Sequence, residues 1–190
     1  MKQKEEVKGF TLIEFIAVVA VISILVAILY PQFISSIEKS RISRLETDYF
    51  AIKNAIGLYY DHTNSFPAYF TASPSGGYLL GCTTNRDGYF DLITNPGLSG
   101  WKGPYIDKTD NINPFGGTYA ITCSATTGNC GELLNPPGSP QNYRQVFCAF
   151  SVRSNFATKI DSDLDDGVTT TGIVRYSGTA NRLEMGIGRR

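Results

Sequence analysis

Four carboxylates fall within the short run Asp161-Ser162-Asp163-Leu164-Asp165-Asp166-Gly167, with Lys159 as the nearby cation. Crowded acids repel one another, and the repulsion is relieved when their oxygens hold a hard cation. Asp161, Asp163, Asp165 and Asp166 are therefore candidate ligands for a structural calcium. The spacing is not that of an EF-hand, because Gly167 comes one position late and Gly172 stands where the closing glutamate belongs. A short helix running into a solvated, aspartate-rich turn accounts for the same residues without a metal.

Other chemistry is poorly supplied. The chain of 190 residues holds one histidine, His62, so a HExxH zinc site is excluded and a Ser/His/Asp triad would have to be built around that residue alone. His62 falls in Tyr59-Tyr60-Asp61-His62-Thr63-Asn64 and reads as the solvated, fraying end of a long helix. The G-x-G at Gly186 and Gly188 has no helix after it, so it is not a phosphate-binding turn. Lysine plus arginine number 17 against 17 aspartate plus glutamate, which leaves no basic footprint for nucleic acid as a main partner. No catalytic constellation is visible, and the chain reads as a non-enzyme.

The elements that position these residues begin with an apolar run. From Phe10 to Phe33 the one ionisable side chain of acid or amine type is Glu14. Phe10 to Tyr30 would cross a hydrocarbon core of about 30 Å as a helix. Lys2, Lys4 and Lys8 precede it on the side expected to stay cytoplasmic. An ordinary signal peptide shares the basic flank, but this run is longer and no A-x-A-like site follows. Glu14 is costly there unless neutralised or paired. Cutting between Gly9 and Phe10 would create an α-amino group about one turn away, able to meet Glu14 within one chain or between staggered copies.

Beyond Tyr30 the pattern turns amphipathic, with Ile34, Ile37, Ile42, Leu45, Tyr49, Ile52, Ile56 and Tyr59 near a 3.6 period. Pro31 is expected to kink the helix rather than end it, and Pro67 to mark its end after roughly 80 Å. Residues 68–190 read as loops and short strands, with strand candidates at Thr118 to Ser124, Arg144 to Val152, Gly172 to Tyr176 and Arg182 to Ile187. The expected fold class is α+β, a long N-terminal helix packed on a small antiparallel head with meander connections.

Gly9-Phe10-Thr11-Leu12-Ile13-Glu14 before an apolar stretch resembles the N-terminal motif of type IV pilins and type II secretion pseudopilins. The resemblance implies cleavage after Gly9 by a prepilin peptidase, N-methylation of Phe10, and use of Phe10 and Glu14 in recruiting subunits into a helical filament. The leader departs from the pattern in carrying Glu5-Glu6. Further on, Leu58-Tyr59-Tyr60, Ser65-Phe66-Pro67, Trp101 to Ile106 and Asn113-Pro114-Phe115-Gly116 are similar to major pseudopilins, which usually read Asp-Pro-Trp-Gly at the last of these. The bottom-up account is a Pro/Gly chain reversal folded over an aromatic core of Trp101, Tyr105, Phe115 and Tyr119.

The resulting organisation is a leader over 1–9, a transmembrane and filament-core helix over 10–30, its amphipathic half over 31–66, and a disulfide-bonded head over 67–190. Implied partners are copies of itself, the prepilin peptidase, an inner-membrane assembly platform, minor pilins, and the bacterial inner membrane before assembly into a surface pilus or periplasmic pseudopilus. Two other roles stand beside the pilus subunit and the major pseudopilin. A minor or tip adhesin would use the extra loops and Arg175, Arg182, Arg189 and Arg190, which otherwise read as solvated charges. A membrane-tethered periplasmic enzyme would need a catalytic constellation.

All four cysteines, Cys82, Cys123, Cys130 and Cys148, follow the apolar run and so face an oxidising compartment if the leader is cytoplasmic. None is spaced as C-x2-C. Cys123 with Cys130 closes a short polar loop and leaves Cys82 for Cys148; free buried thiols are the alternative.

Overall fold

The computed structural model describes residues 10–67, 70–72, 78–80, 88–107, 111–122, 130, 133–134 and 143–189. They fall into two compact units, Met1–Ser40 and Arg41–Arg190. Helix α1, Leu12–Thr63, begins in the first and ends in the second.

In the first unit α1 exposes its apolar side chains, including Phe15, Ile16, Leu25 and Phe33, and among the described residues it is the one helix long and apolar enough to cross a membrane. Pro31 lies inside the helix and does not end it. Downstream of it the Ser35 and Ser36 hydroxyls both donate to the Gln32 carbonyl, at 2.9 and 3.0 Å. The expected amphipathic stripe starts later than its periodicity suggests. Ile34 and Ile37 are exposed, and burial begins at Ile42.

In the second unit α1 buries Ile42, Leu45, Tyr49, Ile52, Ile56 and Tyr59. It ends before Pro67: Asn64 takes a left-handed backbone (φ 51) and donates its N–H to the Tyr60 carbonyl at 2.8 Å. Asparagine tolerates that conformation, so Asn64 is the terminator and Pro67 only follows it.

A two-stranded antiparallel hairpin comes next, β1 (Phe70–Ala72) with β2 (Tyr78–Leu80), and then a 3-10 turn at Phe90–Leu92. Four strands form the main sheet: β3 (Tyr119–Thr122), β4 (Tyr143–Ala149), β5 (Val174–Ser177) and β6 (Arg182–Arg189). Helix α2 (Ser154–Leu164) lies between β4 and β5 in sequence.

All pairings are antiparallel, as expected, but the order β3-β4-β6-β5 is not a meander. The chain leaves β4 through α2 to the outer position, and the turn at Asn181 (φ 46) sends β6 back between β4 and β5.

Strand alternation divides the sheet into two faces. Tyr119, Ile121, Phe147, Val174, Leu183, Met185 and Ile187 join the α1 stripe and α2's Phe156, Ala157 and Ile160 in the main core. Val146 and Cys148 face the other way, into a smaller cluster with Cys130 and Leu134. Trp101, Tyr105, Phe115 and Tyr119 do not form one aromatic group. Trp101 meets Tyr105 edge-on at 5.6 Å, Phe115 meets Phe156 at 4.9 Å, and Tyr119 meets Phe147 at 4.9 Å.

Candidate functional site

The N-terminal motif is built around Thr11 and Glu14. Thr11 immediately precedes α1, and both its backbone N–H and its hydroxyl donate to Glu14 Oε2, at 2.9 and 2.7 Å. The Glu14 N–H returns to Thr11 Oγ1 at 3.4 Å. This is a capping box, which satisfies orphan donors of the first turn. Sequence reasoning gave Glu14 the α-amino group of Phe10, about one turn away in the same chain or a staggered copy, as its partner and missed Thr11, although the S/T-x-x-E signature was there to be read in Thr11-Leu12-Ile13-Glu14. Cleavage before Phe10 would leave the box intact, because the Thr11 N–H belongs to the Phe10–Thr11 peptide. Among the described residues Glu14 Oε1 takes no hydrogen bond, so one carboxylate oxygen remains for an amine. Gly9 and the rest of the leader lie outside the described residues.

The aspartate run divides. Asp161, Asp165 and Asp166 each bring a carboxylate oxygen within 4.8 Å of the other two. Asp163 does not join them; burial, then the nearby Asp163 charge, raises the pKa of Glu46 on α1. Asp161 is fully buried on α2, and neither of its carboxylate oxygens has a hydrogen-bond partner. Burial, then the charges of Asp166 and Asp165, push its pKa up to about 6.

Asp165 Oδ2 accepts the backbone N–H groups of Ile173 at 2.5 Å and Val174 at 3.4 Å. Asp166 accepts the Val168 N–H and the Thr171 hydroxyl, at 2.8 and 2.9 Å, and these bonds hold its pKa below the ordinary value. Gly172 sits at φ 69 with Asp165 Oδ2 where a β-carbon would be, so glycine at this position is a steric demand of the carboxylate. The loop is thus wrapped around Asp165, and the buried Asp161 is the group left without a donor.

The remaining candidates fall elsewhere. His62 is half-buried rather than solvated, with Nδ1 at 3.2 Å from the Tyr105 hydroxyl. Arg182 is fully buried and Arg175 donates to the Leu133 carbonyl at 2.7 Å, so neither is a free surface charge; Arg190 lies outside the described residues and no side chain is described for Arg189.

Cys130 is bonded to Cys148, which overturns both expected pairings. The physical reason is the sheet's second face: Cys148 points away from α1, and Cys130 docks there beside the Ala120 and Val146 carbonyls. Cys82 and Cys123 lie outside the described residues.

The Asn113 turn shows how this chain departs from an aspartate at that place. Asn113 Oδ1 accepts the Phe115 and Gly117 N–H groups, while Nδ2 donates to the Thr118 and Phe150 carbonyls, the latter at 2.7 Å. An aspartate would keep the acceptor half and lose both donor bonds.

Comparison with known proteins agrees with this geometry. Residues 7–30 match the prokaryotic N-terminal methylation motif, and residues 36–130 match the family described as PilW, C-terminal. The type IV major fimbrial protein FimA of Dichelobacter nodosus is 31% identical over 121 residues, covering 63% of this chain and 74% of that protein. Type II secretion system core protein G of Pseudomonas aeruginosa is 28% identical over 131 residues, covering 66% of this chain and 80% of that protein. No solved structure gives a significant match. With a methylation motif that runs into an apolar helix, a family match that continues over residues 36–130, and a fimbrial relative 31% identical and covered over 74% of its length, the chain belongs to the type IV pilin and type II secretion pseudopilin family.

Proposed function

We propose that this chain is the structural subunit of a type IV pilus-like filament. It is made with a leader over 1–9, cut after Gly9 by a prepilin peptidase and methylated at Phe10. It is held in the bacterial inner membrane by the apolar half of α1 until an assembly platform adds it to the filament. The observation that carries the reading is the Thr11–Glu14 box at the start of the helix's exposed and otherwise uncharged apolar half. A carboxylate kept there with one oxygen unspent has a use when the amino terminus of Phe10 from a neighbouring copy comes alongside. The role is structural, and catalysis has no part in it.

The test separates insertion from assembly. Glu14→Val makes a better membrane span, so the membrane fraction should keep its wild-type level of protein while filament yield collapses. Intact mass of wild-type filaments should give a chain starting at Phe10 with one methyl group. Normal filaments from the variant, or leader residues in assembled wild type, would overturn the reading.

The match to core protein G supports a second reading, a periplasmic pseudopilus. Deletion that abolishes secretion of an exported enzyme while surface fibres persist favours it; loss of surface fibres favours the pilus.

The head's finer feature is a calcium ion at Asp161, Asp165 and Asp166. Its support is the buried Asp161 carboxylate, which lacks any donor and faces two further acids. A hard cation supplies the charge that the protein does not.

A further inference from the structure

Glycine inside a helix is less favourable than alanine unless something needs the missing β-carbon. Gly57 lies within α1, is exposed, and a β-carbon built on it meets nothing within 4 Å. Its backbone is helical, so no turn requires glycine here either. The chain itself supplies no reason for Gly57, and the side of the helix it opens is the side that faces away from the head's core.

That side carries a complementary feature. A helix drifts by only about 20° over a heptad, so Phe50 lies almost straight along the axis from Gly57. Phe50 is 48% exposed, and its ring leans on Tyr49 at 5.4 Å. Leu58, next to the glycine, is 52% exposed, whereas Ile52, Ile56 and Tyr59 are buried on the opposite side. The face thus presents an aromatic knob, a notch where a side chain is missing, and an apolar lip. Two exposed charges of opposite sign, Lys53 and Asp61, stand on the same stretch of helix.

We propose that this face docks on a neighbouring parallel copy of this chain, with Phe50 of one copy seated in the Gly57 notch of the next. Copies in a filament are parallel because each enters from the membrane by its apolar half. At 1.5 Å per residue, the axial offset that brings Phe50 level with Gly57 is about 10 Å. The charges ask for nearly the same step: Lys53 of one copy comes level with Asp61 of the next at about 12 Å. Knob, notch and ion pair therefore agree on one register, and a step repeated from copy to copy in this head-to-tail manner gives an open helical array. The proposal rests on the filament reading and adds to it the contact that sets the spacing of the heads.

Cysteine pairs on sheared filaments test the register. Phe50→Cys combined with Gly57→Cys should give, on oxidation, a ladder of covalent multimers on a non-reducing gel. Within one chain the two positions are about 10 Å apart, too far for a disulfide, so every bridge joins two copies. Either single variant should give little ladder. Gly57→Ala supplies an independent reading with two opposed signs: the melting temperature of the full chain in detergent should rise, because alanine suits the helix, while filament yield should fall at least threefold. Phe50→Ala should lower filament yield as well. A double-cysteine ladder no stronger than the singles, or unchanged filament yield in Gly57→Ala, overturns the dock and leaves the filament reading standing. A lowered melting temperature in Gly57→Ala overturns it too, since the glycine would then serve the head itself. Failure of the wild type to form filaments overturns both.

Discussion

Arg182 Nε donates to Glu184 Oε1 at 2.9 Å, and both side chains are wholly withdrawn from solvent. The other Glu184 oxygen accepts the Leu133 and Leu134 N–H groups at 3.0 and 3.2 Å, and Arg175 donates to the Leu133 carbonyl. Charge on β5 and β6 thereby fastens the segment that covers the sheet's second face. Glu184→Ala removes one acceptor of the buried Arg182 guanidinium and the acceptor shared by two amides, and should cost about 3 kcal/mol. Replacing both Arg182 and Glu184 with Met should recover most of that loss. Denaturant unfolding of the full chain in detergent measures the cycle; a double variant as weak as the sum of the singles would refute the account.

Asp161 makes stability depend on pH in a defined direction. Its pKa in the folded head is about 6 against an ordinary 3.8, so the fold favours the neutral acid. That contribution is complete below about pH 4 and is lost as pH rises through about 6. Glu46, also raised, acts in the same sense. In chelator the melting temperature should therefore rise between pH 7 and pH 5. Asp161→Asn should flatten the profile and gain up to about 3 kcal/mol at pH 7. Millimolar calcium should stabilise the wild type most at neutral pH and leave Asp161→Asn unmoved. If chelation alters neither wild type nor Asp165→Ala, the loop is a plain turn.

The Cys130–Cys148 bond closes a loop with a sequence separation of 18. By chain-entropy reckoning a loop of this size contributes about 3 kcal/mol, so Cys148→Ala should lower stability by that order. A non-reducing peptide map should join the Cys130 and Cys148 peptides, and alkylation without reductant should label no cysteine. A Cys123–Cys130 peptide would contradict the Cys130–Cys148 bond.

Thr11 should matter through its hydroxyl. Thr11→Ala removes one arm of the capping box, worth about 1 kcal/mol locally, and Thr11→Ser restores it. Amide exchange in micelles should quicken at the first turn of α1 in the alanine variant and stay normal in the serine variant. Equal protection in all three would mean the box contributes nothing.

Much of this was legible in the chain. Apolar length and the 3.6 period place the start of α1 within two residues, although the helix stops at Thr63 and not at the expected 66, and the strand candidates overlap β3 to β6. What was illegible depended on partners far away in sequence. Arg182 and Glu184 alternate with Leu183 and Met185, which reads as a solvated strand face. Both are fully buried, and Leu133 and Leu134 dock there by donating to Glu184. The short Cys123 to Cys130 loop looked economical because spacing says nothing about which face Cys148 occupies. Of the four aspartates, the period of α2 turns Asp161 inward and leaves Asp163 to Glu46, a split that composition alone does not contain. The Thr11–Glu14 box, by contrast, was fully readable and was overshadowed by the question of Glu14's charge.

The position of β6 between β4 and β5 bears on the order of events at the membrane. Neither neighbour can complete its ladder until the polypeptide through Arg189 has been delivered, because the strand that joins them comes after both in the chain. While the head is being exported, α1 can already be lodged in lipid, yet the sheet it will pack against is still in separate pieces. On the proposed reading, export would pass through an interval in which a subunit is anchored while β5 and the paired β3 and β4 still await the strand that joins them.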